Sequence, residues 1–307
     1  MHSIKNMLNT QKWNVLKQAS EIPPAPKMHQ LQTGYTMPHY KISWLLLVCL
    51  LCNRLSAQEL FVFTEPSSNM PAKSIGIRLS NWFMDDDNLS HVRYHLLPEI
   101  MWGVNKCLML HVEGYLSNSS GTFNGEGLGL YAKYRFYSND KIYRHFRLAA
   151  FGRMATNNET VYQQEIATNG YNTGYQIGLI GTQLLHKTAL SVTTYYERAL
   201  NNPNGYEFPT ALADKALNYS LSAGRLILPK IYKGYKQTNM NLMTELVGQT
   251  LIGNGKQFAD LAISAQFIFN SQTRVDIGYK HELYSNMQRN LPNGLMLRVE
   301  HLLYNVL

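Results

Sequence analysis

From residue 72 to the end, the chain alternates apolar and polar side chains in segments of roughly ten residues, separated by clusters of Gly, Asn, Asp, Ser and Pro. A period of two places successive side chains on opposite faces of an extended strand, and no stretch shows the spacing of an amphipathic helix. In Arg274 to Leu283, Val275, Ile277, Tyr279 and Leu283 share one face, and Arg274, Asp276, Lys280 and Glu282 share the other. Leu261, Ile263, Phe267 and Phe269 oppose Asp260, Ser264, Gln266 and Asn270 in the same way, and Leu128, Leu130, Ala132, Tyr134 and Phe136 oppose Tyr131, Lys133 and Arg135. The pattern predicts strands over 72–84, 91–105, 107–120, 126–138, 144–155, 172–186, 188–200, 214–228, 238–253, 257–270, 273–285 and 293–305.

A soluble sandwich also alternates, but its strands average about 5–6 residues. These are longer, the charge-bearing face recurs on nearly every one, and aromatic residues gather near strand ends. The expected fold is all-β: a closed antiparallel transmembrane barrel of about 12 strands, an even number that suits bacterial barrels. Trp82 and Tyr94 are expected in an outer aromatic girdle, and Trp102, Phe136, Phe146 and Phe269 in an inner one. Connections near Asn105-Lys106, His186-Lys187 and Ser271-Gln272 read as tight periplasmic turns, while Thr156 to Tyr171 and Asn201 to Ala213 read as external loops. The eighth connection, Pro229 to Gln237, is long for a turn, and the ninth, near Asn254-Gly255, is short for a loop. Pro98 falls within the second strand, where a missing N–H predicts a bulge.

Composition sharpens this picture. The longest apolar run, Trp44 to Cys52, covers nine residues. A membrane-spanning helix needs roughly 20, so a polytopic helical protein is excluded. The formal charge of +8 suggests an anionic partner only until its distribution is considered: six of the cations and one acid lie in the first 57 residues, leaving the remainder close to neutral. No nucleic-acid partner is indicated.

Residues 37–57 read as a signal peptide: a basic start with Lys41, the apolar run, then Ser56-Ala57. Residues 1–36 would be a disordered upstream extension, and 58–71 a periplasmic N-terminal segment or a partial plug ahead of the barrel at 72–307. Leu60, Phe61, Val62 and Phe63 are too apolar for a solvated tail, and Pro66 and Pro71 discourage a strand. With Cys49 and Cys52 in the signal, Cys107 is left alone and reads as a packed strand residue.

A signal peptide ending Leu-Ser-Ala-Gln, followed by Glu-Leu-Phe-Val-Phe-Thr-Glu-Pro and then uninterrupted amphipathic strands, resembles the outer-membrane β-barrel proteins of Bacteroidota, of porin or transporter type. The resemblance covers residues 37–307 and is architectural; it implies an outer-membrane location reached through a cleaved signal and solute transport. Outer-membrane lipids, the barrel-assembly machinery and an unspecified small solute are the implied partners. The ending Tyr304-Asn305-Val306-Leu307 departs from the terminal aromatic residue of many such barrels.

Assigning the polar faces to the lumen gives basic residues Arg78, Arg93, Lys133, Arg135, Arg147, Arg153, Arg274, Lys280 and Arg298, and acidic residues Glu197, Glu245, Asp260, Asp276, Glu282 and Glu300. Cations cluster on strands one to five, so the lumen is expected to carry a transverse field that orients polar solutes. Alternatively these charges pair with one another and fill the interior; eight-stranded barrels are filled by side chains, sixteen-stranded ones are not, and twelve lies between.

No cofactor and no metal site is expected. His91, His95 and Asp85-Asp86-Asp87 carry ligand chemistry, but neither group converges along an extended chain. A Ser-His lipid hydrolase would use His281 or His301 with Ser285; the two histidines are expected at opposite rims, and no Gly-x-Ser-x-Gly elbow is present. The functions in competition are a passive channel or transporter for small solutes, a structural or adhesive barrel with a filled lumen, and a surface lipid-modifying enzyme.

Overall fold

The structure, a computed structural model, describes residues 61–84, 93–161, 163–205, 207–231, 234, 236–289 and 292–306. The extension, the signal peptide, His91 and Asp85-Asp86-Asp87 lie outside the described residues. The chain forms β1 (Ser74–Met84), β2 (Arg93–Gly103), β3 (Leu108–Ser117), β4 (Asn124–Lys141), β5 (Arg144–Asn157) and β6 (Gly174–Leu185), then β7 (Thr188–Ala199), β8 (Lys215–Leu228), β9 (Asn239–Leu251), β10 (Gln257–Phe269), β11 (Thr273–Ser285) and β12 (Gly294–Tyr304). Each strand pairs antiparallel with its neighbours in sequence, and β1 pairs with β12 to close the barrel, Arg78 standing opposite Glu300. Closure leaves no sheet edge, so backbone N–H and C=O groups along the wall are satisfied within it, as hydrocarbon requires.

Alternation along the strands separates two surfaces. Leu128, Leu130, Met154, Ile177 and Ile263 are each more than 60% exposed on the outer face, whereas Lys133, Glu245, Asp260 and Asp276 are fully buried within. Charge buried inside an apolar shell is the arrangement of a membrane barrel and inverts that of a soluble protein.

The connections divide the barrel into a short-turn end and a long-loop end. Only Ile142-Tyr143 separates β4 from β5, and only His186-Lys187 separates β6 from β7. Cys107, free and half-buried, lies in the turn before β3 and not in a strand.

Pro98 produces no bulge. The β2–β3 register is the same on either side of it, His95 opposite Ser117 and Glu99 opposite Glu113. The ring is accommodated because Gly114 lies across from it, where a Cβ would approach the Pro98 Cγ to 3.1 Å. Register shifts occur instead at Tyr115/Leu116, Arg135/Tyr137, Leu226/Leu228 and Ala259/Asp260.

Candidate functional site: a chamber inside the barrel

The segment ahead of β1 runs inside the barrel, from mid-height to the short-turn end. Its apolar residues and its N–H groups need partners once water is gone, and the wall supplies both. Phe61 and Val62 pack against Ala189, Met243 and Met296, and Met70 against Met101 and Met109. Glu245 accepts from the backbone N–H groups of Val62, Phe63 and Thr64 at 3.0, 3.0 and 2.9 Å, and from the Thr64 hydroxyl at 2.6 Å. Phe63 meets Trp82 edge-on at 5.5 Å between ring centroids. Trp82 therefore faces inward, not outward into a lipid girdle. Gly278 makes room for this contact, since a Cβ there would come within 2.7 Å of the Phe63 ring. Tyr94, Trp102, Phe136, Phe146 and Phe269 stay on the outer face.

From the long-loop end, residues 163–173 also fold inward. Ile166 and Thr168 are fully buried. Ile166 exchanges two hydrogen bonds with the Gln249 side chain, at 3.0 and 2.7 Å, and the Thr168 N–H donates to Glu197 at 2.7 Å. Arg289, its side chain buried, clamps the loop, reaching Asp260 at 2.6 and 2.7 Å, Glu282 at 3.0 Å and Glu165 at 3.3 Å. The Thr156–Tyr171 segment, read as an external loop, does join β5 to β6 at the long-loop end, but residues 163–171 turn into the barrel. Its uncharged polar residues find more hydrogen-bond partners on the lumen wall than a periodic pattern can register.

Between segment and loop lies a cavity of about 240 Å³. Phe63 and Glu65 line it on one side, Ile166 and Tyr171 on the other, and Arg153 and Arg298 project from the wall.

The sequence-derived basic positions Arg78, Arg93, Lys133, Arg135, Arg147, Arg153, Arg274, Lys280 and Arg298, and the acidic positions Glu197, Glu245, Asp260, Asp276, Glu282 and Glu300, all have inward parity in the barrel. They do not form opposed walls of unlike charge. Arg78 meets Glu300 at 2.8 Å, Glu99 at 3.3 Å and Glu65 at 3.5 Å. Lys133 meets Glu65 at 2.9 Å, and Arg153 meets Glu113 at 3.0 Å. On the nearby β11, Arg274 joins Asp276 and the same Glu300 carboxylate, and Lys280 joins Asp260. The transverse field is therefore largely cancelled by short-range pairing, as confined charges require. Burial alone would raise the Glu65 carboxyl, but the Lys133 ammonium, with His111 and Arg78 behind it, holds it well below the ordinary carboxylate range.

Sequence reasoning passed over Glu65, Glu99, His111, Glu113, Glu165 and Arg289. The alternation of Met109, His111, Glu113 and Tyr115 did mark an inward face on β3, whereas Glu65, Glu165 and Arg289 lie in aperiodic segments with no such signal. Glu99, His111 and Glu113 bring ligand atoms within 4.8 Å of one another. Arg78 and Arg153 already engage both carboxylates, so the group is neutralised by the chain's own cations. His95 stacks on Tyr171 at 4.4 Å and bonds Ser119. His281 and His301 bond Asn293 and Thr273, at opposite ends of the β11–β12 hairpin.

No protein-family model matches the chain, and no curated protein does. Among solved structures, an outer membrane channel from Pseudomonas putida F1 is similar with a TM-score of 0.50 and 12% identity, covering 79% of this chain and 100% of that one. The NanC porin gives a TM-score of 0.46 and 11% identity over 74% of this chain and 98% of its own. At such identity the first likeness shows a shared barrel fold and nothing finer.

Proposed function

We propose that the protein is an outer-membrane channel for small solutes whose path is closed from both ends in this conformation. The cavity between the N-terminal segment and the inward loop carries this reading: a barrel built only to fill itself would have no reason to keep a chamber lined by charged, hydroxyl and aromatic groups. The apolar outer face supports a membrane location, and the twelve-stranded topology with short turns at one end and longer loops at the other supports the outer membrane of a Gram-negative cell. A Bacteroidota source rests on the signal-like segment and barrel pattern alone. Pairing of the interior charges leaves the channel weakly ion-selective, so solutes are sorted by size and by hydrogen bonding in the chamber.

The test is conductance in planar bilayers, comparing the full chain with a variant lacking residues 61–70. The intact barrel should conduct rarely and in small steps, and the truncated one persistently once Arg289→Ala has also released the inward loop. The thorough pairing of interior charge favours a second reading, a filled structural barrel. A truncated barrel that inserts but stays silent, even after the loop is released, would establish that alternative.

A further inference from the structure

Among the described residues, the short-turn rim carries an arc of cations without an acidic partner on its outer surface. β4 is long, 18 residues, and turns into β5 through Ile142-Tyr143 alone. The residues flanking this turn, Lys141 and Arg144, stand directly opposite each other in the ladder. Beyond the Arg135/Tyr137 shift, Tyr137 pairs with Leu148 and Lys141 with Arg144, which places Lys141 on the outward face. The same row of ladder partners continues across the wall: Arg144 opposite Leu185, Leu185 opposite Thr188, Thr188 opposite Arg225.

Like charges directly across an antiparallel pair are destabilising. Lys141, Arg144 and Arg225 are exposed, and the nearest acid, Asp140, is engaged by His145 at 2.8 Å and Arg147 at 3.1 Å. The next connection adds Lys187, whose ammonium donates to the Pro229 and Lys230 carbonyls at 2.9 and 2.8 Å and draws the exposed Lys230 towards the arc. At the opposite rim the outward Arg198 differs, since Asp214 neutralises it at 3.1 Å.

Depth identifies the partner. The arc borders the apolar outer belt, with Phe146 and Leu190 exposed just inside it and Ile227 just outside Arg225. At the hairpin tip, Ile142 is 85% and Tyr143 66% exposed, and Tyr143 stacks on His186 at 5.0 Å. Apolar tips beside cations, one step outside a hydrocarbon-facing surface, match the interface where lipid phosphates lie. A soluble anion would satisfy the charge and leave Ile142 in water.

We propose that Lys141, Arg144 and Arg225, aided by Lys230, form a binding site for anionic glycerophospholipid headgroups in the leaflet at the short-turn end. The site rests on the reading of the protein as a membrane barrel and is independent of conduction.

The full chain is inserted into vesicles of phosphatidylcholine alone or mixed equally with phosphatidylglycerol, and insertion is verified by the heat-dependent gel shift of a folded barrel. Lipid carried through extraction is then counted by native mass spectrometry. The native chain should retain phosphatidylglycerol over phosphatidylcholine, and the pair K141Q with R144Q should lower that preference by on the order of tenfold, with R198Q unchanged. Equal retention by the K141Q, R144Q protein overturns the proposal. So does protection of the native chain against heat by inorganic phosphate in phosphatidylcholine to the extent given by phosphatidylglycerol. If the double variant fails the gel shift, R225Q takes its place and must show a smaller loss in the same direction. A normal gel shift with no lipid preference refutes the headgroup site alone, whereas a native chain that never shows the shift refutes the membrane barrel.

Discussion

Replacing Glu245 by alanine should open the barrel from its short-turn end. One carboxylate holds the N-terminal segment by three successive backbone N–H groups and one hydroxyl, at 2.6 to 3.0 Å. A hydrogen bond to a charged group contributes about 1.5–3 kcal/mol net. Four independent bonds would exceed 6 kcal/mol on that basis, roughly. They share one acceptor group, however, and such contributions fall short of additivity, so about 4 kcal/mol is a reasonable loss. At 1.4 kcal/mol per decade this shifts the balance between seated and released segment by about a thousandfold. Glu245→Gln, with one acceptor oxygen in place of two, should lie between. Two assays report on the same event: conductance in planar bilayers, and cleavage of residues 61–70 by protease added to detergent-solubilised barrel. Glu245→Ala should raise cleavage by itself, and conductance in a barrel whose inward loop is also released by Arg289→Ala. A variant that folds, yet leaves conductance and protection as in the native chain, would refute the idea that this carboxylate seats the segment.

Enlarging Gly278 to leucine should expel Phe63 and mimic the Glu245 change, because a Cβ alone would stand 2.7 Å from its ring; conductance is again the readout, and a silent G278L barrel counts against the packing described. Arg289→Ala leaves Asp260 without its bidentate partner, and breaking a buried pair costs about 3–5 kcal/mol, so the 158–173 loop should become protease-sensitive. Because the Glu65 carboxyl is held well below the ordinary range, its contribution to seating the segment is complete above pH 4.5, its unperturbed value, and is lost only as pH falls through the lowered value; its share should appear as a step in conductance at that point that Glu65→Gln lacks. Ile263→Arg, on the outer face, should cost about 2–4 kcal/mol in unfolding experiments. Ser264→Arg, which an open lumen would tolerate, should be at least as harmful, since Ser264 is 3% exposed and lies against Gly278.

The course of the wall was legible in the sequence because strand parity is a local property. Whether a side chain faces lipid or lumen depends on its neighbours two positions away, so Lys133 and Tyr134 or Ile263 and Ser264 separate without knowledge of the fold. Strand ends fell within a few residues of their predicted places for the same reason: turn residues punctuate the period locally, as at Asn105-Lys106 and Ser271-Gln272. What occupies the lumen was not legible in this way. Trp82 was expected in a lipid girdle because it is aromatic and near a strand end, yet its parity and the Phe63 ring place it inside. The cations on β1 to β5 suggested a basic wall, but their partners come from a strand 222 residues away, as for Arg78 and Glu300, or from the aperiodic segment that holds Glu65. Residues 158–173 have no period, and the inward course of 163–173 depends on Gln249, Glu197 and Arg289 arriving from three other parts of the chain. Alternation decides which way a side chain points; which charges meet, and whether the interior is open or closed, depends on contacts that exist only once β1 has joined β12.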